Sequence, residues 1–345
     1  MVIILHAHPG PNAGPLTRAL AAARQRLADE HRRGFLAAGA TGAAIVAAPP
    51  DGQAFGARLR GIARGLGQGG LVILGSGAIP LATAADRRTF IEAAGAAAPQ
   101  ALANNRYSAD IVSIALAGDI LAKLPSDLAT DNVLPRWLEE SAGIPVADLR
   151  RRWRLAIDID GPLDLALLGG RWRAVLPPAT TGRVDDRLAR LRSVAADRAA
   201  ELAIAGRTSA GTLGWLEGHA AARVRALIEE RGLRTSPPGQ RPPGSVLGLL
   251  LERDGPASLG HLLARVAEGA IVDSRVLLAH RLGPDEAAWP PAEDRFASDL
   301  LLHERIADPW LRELTQAAAG APIPVLLGGH TLVGPGVRLA LRAAH

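Results

Sequence analysis

The sequence predicts an α/β protein in which a mostly parallel sheet flanked by helices is followed by a mainly helical C-terminal part. Short apolar runs alternate with longer segments of helical periodicity as far as Gly206–Thr212, a pattern typical of strands joined by crossover helices. Beyond that point helical patterns dominate. We therefore expect two domains, residues 1–206 and residues 207–345.

The N-terminal elements follow in chain order. Apolar runs predict strands, and Ala- and Arg-rich runs with helical spacing predict helices. The run after Asp110 fits either class, because it is too short for its period to be determined. The third strand is apolar throughout and is expected at the centre of the sheet. The predicted strands are Val2–His6, Ala43–Ala47, Gly70–Leu74 and Arg154–Ile159, and the predicted helices are Leu16–Leu36, Phe55–Leu66, Asp86–Ala98, Asp131–Ala142, a helix after Asp164, and Asp185–Ala205.

In the C-terminal part, Trp215–Arg231 has the periodicity of one long amphipathic helix that ends at Gly232. A Pro- and Gly-rich stretch, Thr235–Gly244, predicts an exposed turn or tether. Ile323–Leu327 predicts a closing strand. Between them, helical segments are predicted at Val246–Glu252, Leu259–Glu268, Val272–His280 and Ala297–Ile306.

The composition excludes several functional classes. Hydrophobic residues make up 48% of the chain, which argues against global disorder, and the lack of cysteine excludes disulfides and thiolate chemistry. Lys123 is the single lysine, which argues against P-loop or Schiff-base chemistry. The net charge of +5 is modest and aromatic residues do not alternate with basic ones, so nucleic-acid binding is not favoured. No run approaches the ~20 apolar residues of a membrane helix, and no signal peptide is apparent, so we expect a cytoplasmic protein without a membrane partner.

The segment Leu155–Leu168 carries the clearest functional signal. An apolar run brings Asp158 and Asp160 to the end of a predicted strand, Gly161-Pro162 ends that strand, and Asp164 opens a leucine-rich helix. Residues two apart on a strand face the same side, so the two carboxylates would point together. Such a pair suits a hard cation such as Mg²⁺, which takes oxygen ligands. The structural alternative is that Asp160 caps the helix and Asp158 is solvated.

Two polar or glycine-rich segments are candidate ligand contacts. Gly75-Ser76-Gly77 follows the predicted central strand, and loops at the carboxyl edge of an α/β sheet commonly bind ligands, although Pro80 breaks the dinucleotide-binding pattern. Asn104 and Asn105 lie in a polar cluster that could bind a base or an acceptor by hydrogen bonds. Both segments have the alternative of a simple turn, because glycine and asparagine favour turns.

Basic and histidine-containing patterns leave two more alternatives open. The run Arg150–Arg154 is either a solvated segment or a phosphate clamp beside Asp158. His6 and His8 would share a face of the first strand, either as ligands of a metal or phosphate or as polar residues before a turn.

The C-terminal part contains polar clusters that match no motif. Ser298 and His330, with Asp273 or Asp299, are the residue types of a nucleophile, a base and an orienting acid. No nucleophile-elbow pattern accompanies them. The alternative is that Arg275 and Arg295 are paired with acids and that the terminal glycines form a hairpin.

The order of the N-terminal elements and motifs resembles the glycosyltransferase-A-type nucleotidyltransferases, in particular the molybdopterin nucleotidyltransferases and the 2-phospholactate guanylyltransferases. The resemblance extends to about residue 200 and rests on Pro15-Leu-Thr-Arg18, Gly75-Ser-Gly-Ala-Ile-Pro-Leu81 and Asp158-Ile-Asp-Gly-Pro-Leu-Asp-Leu165. It implies a nucleotide-diphospho-sugar-transferase-like fold that transfers a nucleoside monophosphate from a nucleoside triphosphate to a small phosphorylated or acidic acceptor. It further implies Mg²⁺ on Asp158 and Asp160, with phosphate contacts from Arg18 and the Gly75–Pro80 loop.

The chain also departs from that family. Ala78 stands where the family has a magnesium-binding aspartate, and the lysine of the family's first loop is missing. The second hypothesis is therefore a catalytically degenerate protein that keeps the fold and acts as a ligand-binding or scaffold protein. Assembly into a homo-oligomer is a further possibility that the sequence leaves open.

Overall fold

The computed structural model describes residues 1–48, 54–65, 69–128, 131–233 and 241–342. The chain is an α/β protein with two sheets and two compact units. The first unit contains Met1–Asn12 and Ala21–Ile159, and the second contains Ala13–Leu20 and Asp160–His345. The predicted domain boundary after residue 206 stays a prediction. Among the described helices, none has the length and apolar character needed to cross a membrane.

The sheet of the first unit has six strands in the order β2-β1-β3-β5-β4-β6. β1 pairs in parallel with β2 and β3, and β4 pairs in parallel with β6, whereas β5 is antiparallel to both of its neighbours. The predicted mostly parallel sheet is therefore a mixed one. The strands are β1 Val2–Ala7, β2 Ala43–Ala48, β3 Leu71–Gly75, β4 Ala101–Ala103, β5 Ile111–Ile114 and β6 Val146–Asp148.

Helices cover both faces of this sheet, so alternate residues of a strand enter different cores. Ile3 of β1 packs in a cluster with Leu59 of a following helix, whereas Val2 packs in a second cluster with Phe35 and Phe90. Burial on both faces explains why β3, and β1 as far as Leu5, are apolar. The helices are α1 Pro15–Ala37, whose first residues belong to the second unit, α2 Phe55–Ala63, α3 Ala84–Ala94, α4 Ala117–Leu121 and α5 Leu134–Arg136, with a 3-10 turn at Asp131–Val133 and a π-helical turn at Trp137–Ser141.

The predicted strand Arg154–Ile159 is wrong. Trp153–Ala156 forms a 3-10 turn, and Asp158 makes only an isolated antiparallel bridge with Ala78. Leu155, Ile157 and Ile159 are buried at every second position. This alternation is the pattern expected of a strand, although no strand pairing forms here. Alternate side chains can be buried without a hydrogen-bonded neighbouring strand.

The second unit contains a four-stranded, fully parallel sheet in the order β10-β9-β7-β8. The prediction of a mainly helical C-terminal part missed this sheet. β7 and β8 both fall within segments predicted to be helical. Short runs of Ala, Leu and Ile fit either a helix or a strand, and the neighbouring elements in the fold determine which one forms. The strands are β7 Glu201–Gly206, β8 Arg223–Ile228, β9 Gly269–Asp273 and β10 Val325–Gly328.

The helices of the second unit flank this sheet, and the strands β7, β9 and β10 are almost entirely buried. The helices are α6 Pro162–Leu168, α7 Gly170–Arg173, α8 Gly182–Ala196, α9 Ala210–His219, α10 Val246–Asp254, α11 Leu259–Ala264, α12 Ser274–Leu282, α13 Ala292–Asp299, α14 Pro309–Ala319, α15 His330–Val333 and α16 Val337–Leu341. The predicted turn Thr235–Gly244 falls mostly outside the described residues, which resume at residue 241.

Candidate functional site

The strand order of the first unit reverses at β1, where a crevice is expected between β1 and β3. The chain leaves β1 through α1 to reach β2 on one side, and then passes through α2 to β3 on the other side of β1. The loops that follow the carboxyl ends of two such strands run in opposite directions. Open α/β sheets bind ligands at the point where these loops separate. The loop after β3, Gly75–Ile79, is the predicted glycine-rich loop, and it lies at this edge.

Hydrogen bonds fix the start of this loop against β1. The Ser76 amide donates to the Leu5 carbonyl at 2.8 Å, and the Ser76 hydroxyl lies 3.1 Å from His6 Nδ1. His6 is buried, and burial together with the charges of His8 and Arg24 lowers its pKa. His6 is therefore a neutral hydrogen-bonding group at pH 7, and its ring meets that of His8 edge to face, with centroids 5.2 Å apart.

Gly77 must be glycine because the chain returns directly against it. A Cβ atom there would lie 2.8 Å from Asp158 Oδ1 and 2.8 Å from the Ile159 carbonyl oxygen. The Ile159 amide donates to the Gly77 carbonyl at 3.0 Å, and Arg24 Nε donates to the Ile159 carbonyl at 2.7 Å. The structure thus brings the predicted residues Gly75, Ser76 and Gly77 together with Asp158.

His31 supports the loop from inside the protein. Its side chain is fully buried, and Nε2 lies 2.7 Å from the Ala78 carbonyl oxygen. Burial lowers the pKa of His31 to about 4, so the ring is neutral at pH 7 and Nε2–H donates. The next residue, Ile79, is buried with φ of 46°, in the left-handed region that costs energy for a branched side chain. The contacts of His31 and Asp158 hold the loop in this strained shape.

Asp158 and Asp160 do not share a strand face as predicted. Asp158 is half-buried in the first unit, and its Oδ1 accepts the Ile159 amide at 2.8 Å. Asp160 belongs to the second unit, where its 43% exposed side chain lies 3.6 Å from Nδ1 of His330. The geometric prediction failed because the backbone between them is not a regular strand. Their metal-binding role stays a prediction.

Asp164, not Asp160, stabilises the start of α6. Gly161 is the N-cap residue, and Asp164 Oδ2 accepts the amides of Asp160 and Gly161 at 2.9 and 2.8 Å. Burial, reinforced by the negative charges of Asp160 and Asp299, raises the pKa of Asp164 to about 8. A protonated carboxyl therefore sits behind Asp160 at neutral pH.

The asparagine pair favours the turn alternative. Asn104 is buried, and its Nδ2 donates to Asp110 Oδ2 at 2.8 Å and to the Leu155 carbonyl at 2.9 Å. Its Oδ1 accepts the Asp110 amide at 3.0 Å. Asn105 Oδ1 accepts the Tyr107 amide at 3.1 Å, as in an Asx turn. Binding of a base or acceptor by these residues stays a prediction.

The N-terminus of α1, where Arg18 lies, holds an internal carboxylate that sequence reasoning missed. The amides of Leu16 and Thr17 donate to Glu293 at 2.9 Å each, and the Thr17 hydroxyl donates at 2.8 Å. Arg18 is exposed and donates to the Ala13 carbonyl. A carboxylate is favourable at a helix N-terminus, where unpaired amides and the helix dipole attract negative charge. No sequence signal links residues 277 apart.

Two other expectations resolve into ion pairs. In the run Arg150–Arg154, the guanidinium groups of Arg152 and Arg154 lie 2.9 and 3.4 Å from the carboxylate of the buried Asp86. Both arginines therefore form ion pairs within the fold. In the second unit, Arg275 Nη2 donates to Asp299 at 2.7 Å, as the structural alternative expected.

The residues considered for a nucleophile, base and acid are not assembled. The buried Ser298 hydroxyl lies 2.7 Å from the Thr315 hydroxyl, whereas His330 lies beside Asp160. Within the part of the chain that the structure describes, no group of three or more His, Asp or Glu side chains is arranged to hold a metal ion.

Comparisons of the chain with protein-family models, with curated proteins and with solved structures found no match. The candidate site therefore rests on its own geometry.

His31 should make stability depend on pH. Its pKa falls from 6.5 in the unfolded chain to about 4 in the fold, so the unfolded chain binds the proton more readily. The contribution of the neutral His31 ring to the free energy of unfolding is complete above pH 6.5. It is lost as the pH falls toward 4, at up to about 1.4 kcal/mol per pH unit. His31→Gln removes the titration, so urea unfolding should show the wild type losing its advantage over the variant between pH 7 and pH 5. A constant difference would contradict the assignment.

Asp164 should make the stability of the fold decrease as the pH rises, the opposite of the effect of His31. Its folded pKa is raised from 3.8 to about 8, so its contribution is complete at low pH and is lost as the pH rises through 8. Asp164→Asn keeps an acceptor oxygen for the two amides and cannot ionise. We expect the variant to gain stability relative to the wild type between pH 5 and pH 8 in urea unfolding. A gain toward acidic pH instead would show that Asp164 is ionised in the fold.

Removing the carboxylate at the N-terminus of α1 should destabilise the second unit. Glu293→Ala leaves two amides and a hydroxyl without their acceptor, and we expect a loss of about 1–2 kcal/mol in unfolding free energy. Glu293→Gln should lose less, because one acceptor oxygen remains. Glu304→Gln is the control, since its pair with Arg183 is exposed and should contribute under about 1 kcal/mol. Equal losses for Glu293→Ala and the control would refute the cap.

Proposed function

We propose that the first unit binds a nucleoside triphosphate at the crevice between β1 and β3. In this proposal the protein transfers the nucleoside monophosphate to a small phosphorylated or acidic acceptor. The observation that carries the proposal is the Gly75–Ile79 loop, which is fixed at the divergence of two parallel strands and has Asp158 against it. This is the edge at which α/β sheets bind nucleotides.

Each residue around the loop has a role in the proposal. Gly77, without a side chain, lets Asp158 and Ile159 pack directly against the backbone of the loop. Ser76 and the neutral His6 would offer hydrogen bonds, and Arg24, which donates through Nε to Ile159, would add positive charge at the same edge. His31 would be a positioning residue, because it holds the Ala78 carbonyl without reaching the crevice. Arg18 would contact the phosphates as the family resemblance implies.

In this proposal a magnesium ion arrives with the triphosphate. Mg²⁺ commonly binds proteins through one or two carboxylates and takes its remaining ligands from substrate phosphates and water. Asp158 is the carboxylate of the first unit that would hold it, and a metal-binding role for Asp160 stays a prediction. The bound ion would neutralise negative charge on the phosphate oxygens and on the departing pyrophosphate. The acceptor oxygen would form a bond to the α-phosphorus while the bond to the pyrophosphate oxygen breaks.

A second candidate function is nucleotide or ligand binding without transfer. Ala78, at the position of the family's magnesium-binding aspartate, is 1% exposed and has no carboxylate to offer. Losing that ligand weakens control of the metal geometry that transfer requires. The protein would then use the same crevice as a ligand-binding or scaffold protein.

Asp158→Asn separates the two functions. Calorimetry with each of the four nucleoside triphosphates and Mg²⁺ measures binding, and release of pyrophosphate in the presence of phosphorylated or acidic acceptors measures transfer. If transfer occurs, we expect the wild type to release pyrophosphate and Asp158→Asn to do so about a hundredfold more slowly. Asp254→Asn, an exposed aspartate on α10, is the control and should match the wild type.

Binding without pyrophosphate release by the wild type would support the binding-only function. No heat with any triphosphate would refute nucleotide chemistry at this crevice altogether.

A further inference from the structure

The second unit has its own divergence of strands. The chain leaves β7 through α9 to reach β8 on one side, whereas β9 lies on the other side of β7. The carboxyl ends of β7 and β9 therefore border a crevice of the kind that binds ligands in α/β sheets. Neither the family resemblance nor the proposed function involves this place.

The two strand ends approach each other very closely there. Gly206, the last residue of β7, has φ of 120°, and a Cβ atom on it would lie 2.3 Å from Asp273 Cβ. The next residue, Arg207, donates to both carboxylate oxygens of Asp273, at 2.6 and 3.1 Å. Both side chains of this pair are buried. A buried bidentate pair at the end of two strands fixes the turn that follows β7.

The helices that follow the two strands differ in what occupies their N-termini. Asp273 is the N-cap of α12 and accepts the Arg275 amide, so a carboxylate already occupies that helix start. The ten-residue α9 is capped only by the neutral Ser209 hydroxyl, which accepts the Thr212 amide. Its first two residues, Ala210 and Gly211, are exposed, and amides at these positions have no acceptor inside a helix. The start of α9 is thus open to an anion.

Positive charge accompanies this helix start. Arg338 Nη2 donates to the Gly211 carbonyl at 3.3 Å, and its guanidinium lies 5.6 Å from the ring centre of Trp215 on the same helix. Arginine at such a place suits phosphate because its planar fork donates to two oxygens at once.

Two buried hydroxyl groups give an independent indication of a ligand. Thr208, directly before the Ser209 cap, is fully buried, and Thr331 is 3% exposed. Among the described residues neither hydroxyl has a hydrogen-bond partner. Thr331 lies on α15, which packs against both β7 and β9. Buried polar groups without partners are uncommon in folded proteins and call for a ligand, a water or an ion.

We propose that the turn between β7 and α9 is a binding site for the phosphate group of a small phosphorylated ligand. The amides of Ala210 and Gly211 and the Thr208 hydroxyl donate to the phosphate oxygens, and Arg338 balances their charge. Arg207 holds the turn in place through Asp273 and is a positioning residue.

The first test is a titration of the isotope-labelled full-length protein with inorganic phosphate and, separately, with pyrophosphate. We expect saturable shifts of the Ala210 and Gly211 amide signals. Tighter binding of pyrophosphate would identify a diphosphate ligand, and equal binding would identify a monoester. No saturable shift of these amides with either anion would overturn the site.

Ala210→Pro removes one donor and leaves the helix intact. Proline is favoured at the first position of a helix, where its missing amide has no partner to lose. Ser209, with φ of −93° and ψ of 155°, already has the conformation that a following proline requires. We expect the phosphate affinity to fall on the order of tenfold. An affinity equal to that of the wild type would contradict the proposal.

Thr208→Val tests the buried hydroxyl in two ways. Without phosphate the variant should be at least as thermally stable as the wild type, because an unpartnered hydroxyl is replaced by a methyl of the same shape. Its phosphate affinity should fall on the order of tenfold. Thr212→Val is the matched control, since its hydroxyl lies 3.0 Å from the Ser209 hydroxyl, and it should lower thermal stability. Equal destabilisation by both variants would show that Thr208 has a structural partner and would overturn the proposal.

Arg190→Gln on α8 separates specific binding from attraction to surface arginines, because Arg190 is exposed and donates to the Pro322 carbonyl. Its phosphate affinity should equal that of the wild type, and an equal loss in this variant would refute a specific site. Because these signals and variants belong to the second unit, their failure leaves triphosphate binding by the first unit untouched.

Discussion

The close return of the chain against Gly77 is the constraint on which the first unit's crevice depends. One backbone bridge, between Ala78 and Asp158, joins a loop after the central strand to a segment about eighty residues further along the chain. His31 and Arg24 add hydrogen bonds from α1 to the two sides of that bridge. Together these contacts hold Ile79 in a backbone conformation that it would leave if released. A rigid loop at this edge is what a ligand site needs, because little ordering remains to be done on binding.

In both units, buried ionisable groups are either paired with an opposite charge or kept in their neutral form. Asp86 is stabilised by arginines of the run that follows β6, and Asp273 and Asp299 each face one arginine. Asp164 accepts backbone amides but forms no salt bridge among the described residues, and burial raises its pKa so that it retains its proton. Charged groups without compensation are expensive in a protein interior. The neutral carboxyl behind Asp160 and the neutral imidazole behind the Gly75–Ile79 loop follow from this same cost.

Much of the N-terminal half could be predicted because its elements are long or strongly periodic. α1 and the strands β1 to β3 match their predicted positions to within a few residues, since apolar strands and an Arg-rich amphipathic helix have distinct periods. β7 and β8 were missed because six-residue runs of Ala, Leu, Ile and Arg carry too little periodicity to distinguish a strand from a helix. Residue types singled out the Gly75 loop and Asp158, two segments that the structure places against each other. Pairs such as Leu16 with Glu293 could not be predicted, because they depend on tertiary packing that a linear pattern does not contain.

The contact between Glu293 and α1 also bears on how the chain is made. Leu16 and Thr17 leave the ribosome well before their acceptor, which is synthesised 277 residues after Leu16. Contacts between such distant positions form late, because closing a long loop costs entropy before any interaction repays it. The first turn of α1 must therefore wait until those residues have been added. A fragment that begins at Asp160 would contain every strand of the second sheet and still lack a segment that this unit needs to be complete.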